Sequence, residues 1–221
     1  MRVYKFLDAH FGLRSIEERR LKQSRVSDLN DPFELLPYSL ADDLLRITFL
    51  KTKKDVDEKK GLLCFSSDWK NPVIWAHYSD KHKGLCLGFE IPELKEDPKD
   101  DTGQVEYVGE LLVPPSPSNF EAMSDSEHDA FARAAVFTKF NHWSYEKEIR
   151  VWGPLATEDN GLHFVACGEN MRLLEVIIGQ MCPLSKEQIV LALGSLADQV
   201  KVIKSRASFD KFEMVEDQQG A

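Results

Sequence analysis

Two carboxylates and a guanidinium fall at alternate positions in the run Trp143-Ser-Tyr-Glu-Lys-Glu-Ile-Arg150. If residues 143–153 form a strand, as their alternation predicts, side chains two apart share a face. Glu146, Glu148 and Arg150 then line one face, and Trp143, Tyr145, Ile149 and Val151 line the other, which packs inward. Two uses fit this pattern. One is a solvated strand face carrying cross-strand ion pairs, with Arg150 holding Glu148. The other is a pair of carboxylates at the mouth of a cleft, with Tyr145 beside them as a wall for an aromatic ligand. Carboxylates placed this way stabilise positive charge that develops in a transition state, as in the cleavage of a glycosidic bond.

Other residues with chemical potential lie earlier in the chain. Trp75-Ala-His77-Tyr78 puts an imidazole next to two aromatic rings, and Trp75 and Tyr78, three apart, share a helix face. Those rings serve equally as core or as a stacking surface, and His77 equally as a hydrogen-bonded surface group or a proton-transfer group. Ser66 and Ser67 end an apolar run. Asn30, Asp31 and Glu34 surround Pro32. Asn-Asp-Pro is turn chemistry, and an Asx turn closed by Asp31 competes with a ligand-binding loop as its explanation. The spacing supports no metal site.

Elements able to position these groups can be read from periodicity. Residues 2–7 form a first strand bearing Arg2, Tyr4 and Lys5. Strands follow at 61–66, 84–91 and 104–108, then 143–153, 162–167, 173–178 and 200–203. Helices are expected at 12–19, at 39–52 with Ser39 as N-cap, at 71–80 with Asn71 as cap and Pro72 in the first turn, at 126–140, and at 183–197 capped near Ser185. Strands cluster rather than alternate regularly with helices. This predicts an α+β fold with a bent or split, mostly antiparallel sheet and surrounding helices. Residues 1–213 read as a single domain and 214–221 as a polar tail.

Composition narrows the class. The 221 residues are 43% hydrophobic and 29% charged, with a net charge of −9. That balance disfavours broad attraction to phosphate backbones. Cys64, Cys86, Cys167 and Cys182 form no C-x-x-C pair, so reduced thiols are expected. With no leader-like start and no apolar run of spanning length, the cytoplasm is the expected compartment, with no membrane contact.

Three stretches taken together resemble a known family: Leu29-Asn-Asp-Pro-Phe-Glu34; Cys64-Phe-Ser66 with Trp75-Ala-His-Tyr78 and Gly84-Leu-Cys-Leu-Gly-Phe89; and Trp143 to Arg150. Their order is similar to that of the bacterial family called domain of unknown function 2971. The late Glu-x-Glu also resembles the ADP-ribosyltransferase pattern, in which a first strand, a middle serine-bearing strand and a late glutamate act together. Carried over, that resemblance implies NAD as substrate and an acceptor that is a protein or nucleic acid, in a toxin or phage-defence setting. It gives Glu148 the nicotinamide ribose and Glu146 the acceptor. Tyr4, Lys5, Ser66, Trp75, His77, Tyr78 and Tyr145 would contact the cofactor. The alternatives are a non-catalytic ligand-sensing or protein-interaction module and a nucleotide-processing hydrolase.

Overall fold

The protein is described from a computed structural model covering residues 1–95, 97 and 101–218. In chain order the first half holds β1 (Arg2–Leu7), α1 (Ala9–Glu17), β2 (Arg20–Gln23), α2 (Asp43–Asp57), β3 (Lys60–Ser66), α3 (Pro72–Tyr78), β4 (Leu85–Glu90), β5 (Thr102–Gln104) and β6 (Glu106–Val108). The second half holds α4 (Pro117–Glu121), α5 (Asp125–Phe137), β7 (Thr138–Phe140), β8 (Glu148–Pro154), β9 (Thr157–Asp159), β10 (Leu162–Ala166), β11 (Arg172–Ile178), α6 (Lys186–Leu193), β12 (Lys201–Ala207) and β13 (Met214–Glu216).

Eight strands form the main sheet in the order β13-β12-β11-β4-β1-β3-β8-β5. All its pairings are antiparallel except β11 with β12. The fold is α+β, as the sequence predicts. β1 runs against β4 along its whole length, and β3 runs against β8 along its whole length. Between β1 and β3, however, the ladder is a single pair, Tyr4 opposite Ser66. The sheet therefore has two well-knit arms that part along this line.

Each face of the sheet carries its own core. Val3, Leu63, Phe65, Leu87, Ile149 and Ile178 pack against Ile16 of α1 and against Ile189 and Leu193 of α6. On the other face Tyr4, Phe6, Cys86 and Ile177 pack beneath Ile74 and Trp75 of α3. A third cluster, with Leu62, Val136 and Phe137, seats α5. The helix starts follow side-chain capping. Asn71 accepts from Val73 N with Pro72 behind it, and Ser124/Glu127 and Ser185/Gln188 form reciprocal capping boxes. Asp42 rather than Ser39 caps α2, whose side chain accepts from Leu45 N, so that helix begins later and runs further than expected.

Other expectations change as well: the helix expected over 126–140 ends at Phe137 where β7 begins, and the strand expected over 104–108 is divided between β5 and β6 in different sheets. The tail expected from residue 214 begins with an edge strand. Met214 is buried and its N–H donates to the Lys70 carbonyl, while Met214–Glu216 pair with β12. Residues 219–221 of that tail lie outside the described residues. The strand expected over 143–153 is broken: Asn141–Glu146 form a 3-10 helix, Lys147 is left-handed at φ 44°, and β8 begins only at Glu148.

No helix among the described residues is long and apolar enough to cross a membrane. All four cysteines are free thiols. Titration of the protein unfolded in denaturant without reductant is expected to give four reactive groups, and a count of two or fewer would contradict this pairing state.

Asp80, Lys81 and His82, which follow α3, are three consecutive left-handed residues at φ 44°, 54° and 69°. An L-residue in this region costs about 1–2 kcal/mol, of which glycine is relieved. Lys81 is exposed. Lys81→Gly is therefore expected to raise the unfolding free energy by about 1 kcal/mol, less glycine's greater freedom in the unfolded chain. A loss of stability in urea titration would refute this.

Candidate functional site

Where β1 and β3 part, a cleft of about 360 Å³ opens. Its walls include Tyr4, Lys5 and Phe6 from β1, Cys64 and Ser66 from β3, and His77 and Tyr78 from α3. Asn30, Glu34, Glu146 and Glu148 also line it. Residues opposite one another on neighbouring strands point to the same face. Tyr4 lies opposite Ser66, and Ser66 lies opposite Glu148, so the three form one row across β1, β3 and β8.

Beneath the cleft lies a buried ionic cluster. Arg150, with no exposed surface, donates from Nε to Glu148 Oε1 (2.8 Å) and from Nη2 to Glu148 Oε2 (3.1 Å) and Glu34 Oε1 (2.7 Å). Its Nη1 donates to the Val136 carbonyl. The Lys139 ammonium reaches Glu146 Oε2 (2.7 Å), Glu148 Oε2 (3.2 Å) and Glu34 Oε1 (3.6 Å), and sits 4.8 Å above the Trp143 ring. Tyr78 donates its hydroxyl to Glu146 Oε1, and Asn30 Nδ2 donates to the Tyr78 oxygen (3.3 Å). The Glu148 N–H donates to the Tyr107 oxygen (2.9 Å).

Local backbone explains how the carboxylates meet. Strand alternation does not place Glu146 beside Glu148, because the left-handed Lys147 turns the chain between them. That turn is held by Lys147 N to the Ser144 carbonyl (3.2 Å), by Ser67 N to the Lys147 carbonyl (3.0 Å) and by the Lys147–Asp68 ion pair (2.9 Å). Glu34 is likewise followed by a left-handed residue, buried Leu35 at φ 62°. Strained backbone next to each set of carboxylates persists because the surrounding bonds over-determine it.

Charges in the cluster shift one another. Burial pushes the Glu148 carboxyl up, but Arg150 and Lys139 outweigh burial and bring it from 4.5 down to about 2. Glu34 moves the other way, because its burial exceeds what Arg150 returns. Burial lowers Lys139, yet Glu148, Glu146 and Glu34 together hold it above the usual lysine range. Burial and then Glu146 raise Tyr78 well above an ordinary phenol. Burial raises the Cys64 thiol, and Glu148 adds to it.

A stability profile follows from the depressed Glu148. A carboxyl with a lowered folded-state pKa contributes stability above its unfolded value and loses it as pH falls through the folded value. The unfolding midpoint in urea should therefore drop between pH 4.5 and about 2. Glu34, raised in the folded state, opposes this by favouring its protonated form. In Glu148→Gln the acid slope should flatten, and an unchanged slope would show that Glu148 does not carry it.

Not every residue singled out in the sequence reaches the cleft. Trp75 is fully buried, edge-on to Phe6 at 5.2 Å, with Nε1 bonded to the Trp69 carbonyl (2.6 Å). It is packed in the core and does not line the cleft, because α3 turns it onto the sheet. Tyr145 stands behind His77, its hydroxyl 2.9 Å from Nδ1, and Asn71 Nδ2 bonds its carbonyl. Asp31 closes an Asx turn by accepting from Phe33 N (2.9 Å) and faces a separate, mainly apolar cavity of about 280 Å³ with Phe33, Leu111 and Phe140. Ser66 Oγ is engaged with its own turn, bonding the Asp68 carbonyl and N–H. Among the described residues no three His, Cys, Asp or Glu side chains are grouped as metal ligands. The three glutamates converge on an ammonium and a guanidinium instead.

Lys139 and Tyr107 were not foreseen. Lys139 lies in Phe137-Thr-Lys-Phe140, where a lysine between two phenylalanines was the one faint signal in the sequence. Tyr107 lies opposite it in the parallel pair β6–β7.

The family model described as protein of unknown function (DUF2971) matches residues 74–151. The resemblance read in the sequence thus holds across the segment that carries His77, Tyr78, Lys139, Glu146, Glu148 and Arg150. No curated protein and no solved structure matches the chain.

Proposed function

We propose that the cleft binds NAD and transfers its ADP-ribosyl group to a macromolecular acceptor. The observation that carries this reading is the row Tyr4–Ser66–Glu148, which joins the first strand, the serine-bearing strand and the late glutamate strand at the point where the sheet parts. Lys5 adds a cation on the same wall, its ammonium on the Cys64 carbonyl at 3.0 Å, placed to meet a phosphate.

In this reaction the bond between the nicotinamide nitrogen and ribose C1′ breaks. Its electron pair goes to the ring nitrogen, and neutral nicotinamide leaves. The acceptor's lone pair then bonds C1′ and its proton departs to solvent. Positive charge grows on the ribose meanwhile, and a carboxylate fixed beside it stabilises that charge without reorganising. The two glutamates differ in fitness for this task. Both Glu148 oxygens are bound by Arg150, and one also by Lys139. Glu146 holds one ammonium and one neutral phenol, so we assign the ribose contact to Glu146 and a supporting role to Glu148. His77, on the cleft wall with Nδ1 engaged by Tyr145, is placed to orient the acceptor or the leaving amide.

The test is release of nicotinamide from NAD labelled in that ring, run beside NAD labelled in the adenylate with a cell extract as acceptor source. Label appearing on protein or nucleic acid supports the transferase. Free ADP-ribose alone would point to a hydrolase. With neither product, the tied Glu148 would favour a non-catalytic ligand-binding module.

A further inference from the structure

The segment 28–37 stands between two cavities. Asn30 and Glu34 line the cleft, while Asp31, Phe33 and Pro37 line the second cavity of about 280 Å³. The opposite walls come from the loop that follows β6 and from β7. Val108 lies opposite Phe140 in the β6–β7 pair. The walls are tied together by Leu112 N, which donates to the Pro37 carbonyl (2.7 Å), and by Ser39 N, which donates to the Leu112 carbonyl (2.8 Å). The space is therefore built in advance of any occupant. Phe33, Leu111 and Phe140 each keep between 42% and 56% of their surface exposed, apolar area that an occupant would cover.

Asp31 is the polar group set into these walls, and only 5% of it is exposed. Its Oδ1 accepts from Phe33 N (2.9 Å), and among the described residues no cation pairs with it. Its second oxygen accepts no hydrogen bond. Among the described residues no sealed side-chain oxygen lacks a partner, so this oxygen is open, and the cavity is the space that Asp31 lines. Lys53 feels the charge of Asp31 but shares its own with Glu34 and Asp57, and its ammonium donates to the Pro32 carbonyl (3.2 Å). Lys139, which does line the cavity, is held by Glu146, Glu148 and Glu34. Glu110, exposed, adds a second carboxylate to the lining.

Ligand classes can be sorted by what these walls offer. A metal ion needs several oxygen ligands, which one buried carboxylate among hydrocarbon walls does not supply. An anion would meet Asp31 and Glu110. A neutral apolar molecule would strip water from Asp31 and leave its second oxygen unpaired. We propose that this cavity is a binding site for a small organic ammonium ion with an aromatic or branched hydrocarbon body, and that Asp31 holds its charge. The body covers Phe33, Leu111 and Phe140, and the two rings add attraction for the cation. The volume lies near the lower end of ordinary small-molecule sites, about 300–1,000 Å³, which keeps the ligand small. This site is separate from the cleft and does not depend on the NAD reading.

The test is an NMR titration of the full, isotopically labelled chain with 2-phenylethylammonium and with 2-phenylethanol. The two probes share a carbon skeleton and differ by an ammonium in place of a hydroxyl. The ammonium is expected to bind about tenfold tighter, with millimolar affinity, and to shift the amides of Phe33, Leu111 and Phe140. Asp31→Asn keeps the turn, because asparagine offers Phe33 N the same oxygen, and should reduce the ratio to about twofold or less. Lysine blocked at both ends stands for a protein side chain. Its straight stem leaves the ring walls unfilled, so it should bind more weakly, and tighter binding would overturn the assignment to a small molecule. Equal affinity for ammonium and alcohol in the wild type overturns the proposal. So do shifts confined to other residues, an unchanged ratio in the variant, and absence of binding by both probes at about 10 mM. If Asp31→Asn does not fold, the wild-type ratio and the location of the shifted amides decide the matter. NAD turnover, present or absent, leaves each of these outcomes as it stands.

Discussion

Arg150→Ala should leave the protein unfolded or nearly so. The guanidinium holds Glu148 with two hydrogen bonds, reaches Glu34 with a third and the Val136 carbonyl with a fourth. It thereby ties β8 to the turn before α2 and to the end of α5. Removing one partner of a buried ion pair costs about 3–5 kcal/mol, because the other charge remains buried and uncompensated. Here two carboxylates lose their partner at once, leaving three against Lys139 alone. A typical domain has about 5–15 kcal/mol of stability in total, so the loss takes much of it. Arg150→Lys should rescue little, since one ammonium cannot reproduce the planar fork that meets both carboxylates. The measurement is urea unfolding followed by circular dichroism, with soluble yield as a first indication. A change below about 1 kcal/mol would mean that water enters the cluster and that the buried pairs are worth no more than surface ones. A third variant checks the mechanism. Arg150→Met combined with Glu148→Met should be less damaging than Arg150→Ala, because the pair is then replaced by apolar volume instead of broken.

The sequence disclosed the parts of this arrangement that depend on alternation. Cys64-Phe65-Ser66 and Glu148-Ile149-Arg150 follow period two, so the faces of β3 and β8 could be assigned. Their antiparallel pairing then puts Cys64 opposite Arg150 and Ser66 opposite Glu148. Arg150 was recognisable as a partner of Glu148 for the same reason. Glu146 was assigned to the right company by the wrong geometry. A lysine has no preference for the left-handed region, so nothing in Tyr145-Glu-Lys-Glu148 announces the turn that Lys147 makes. Lys139 was hidden because β7 has only three residues and follows α5 without a loop, and because its parallel partner β6 is equally short. Short strands fixed by long-range pairing leave little local trace. Met214–Glu216 escaped notice for that reason too: two apolar residues between Glu213 and Glu216 pair with β12, but they make too brief a pattern to read as a strand. The Trp75/Tyr78 spacing did identify one helix face. Both rings pack in the cluster beneath α3, and Trp75, nearer the sheet, is sealed while Tyr78 extends to Glu146.

Glu146→Gln and Glu148→Gln should fail in different ways, and the contrast distinguishes a ribose-binding carboxylate from a structural one. Glu148 is 4% exposed, its oxygens filled by Arg150 and Lys139. A glutamine there keeps one acceptor oxygen but turns an NH2 toward two cations, so like polarity meets in a dry site. The expected loss is about 2–4 kcal/mol of stability, below that of Arg150→Ala because Glu34 still pairs with the guanidinium. Glu146, 6% exposed, has a less demanding set of partners. Its replacement leaves Lys139 the two other carboxylates, Glu148 and Glu34, which offsets part of the cost of weakening the bond to Lys139. Stability should therefore change by about 1 kcal/mol or less. Under the transferase reading, however, turnover of NAD should fall about 10²-fold or more, since one preorganised electrostatic contact is worth a few kcal/mol in the transition state. If the contact acts only as charge grows on the ribose, kcat falls while KM for NAD moves little. If instead Glu146 mainly recognises the cationic nicotinamide of NAD, KM rises and kcat holds. Should Glu148→Gln fold normally and abolish turnover while Glu146→Gln stays active, the two assignments must be exchanged. Should both variants retain wild-type turnover, neither carboxylate touches the reacting ribose and the chemistry assigned to the cleft fails.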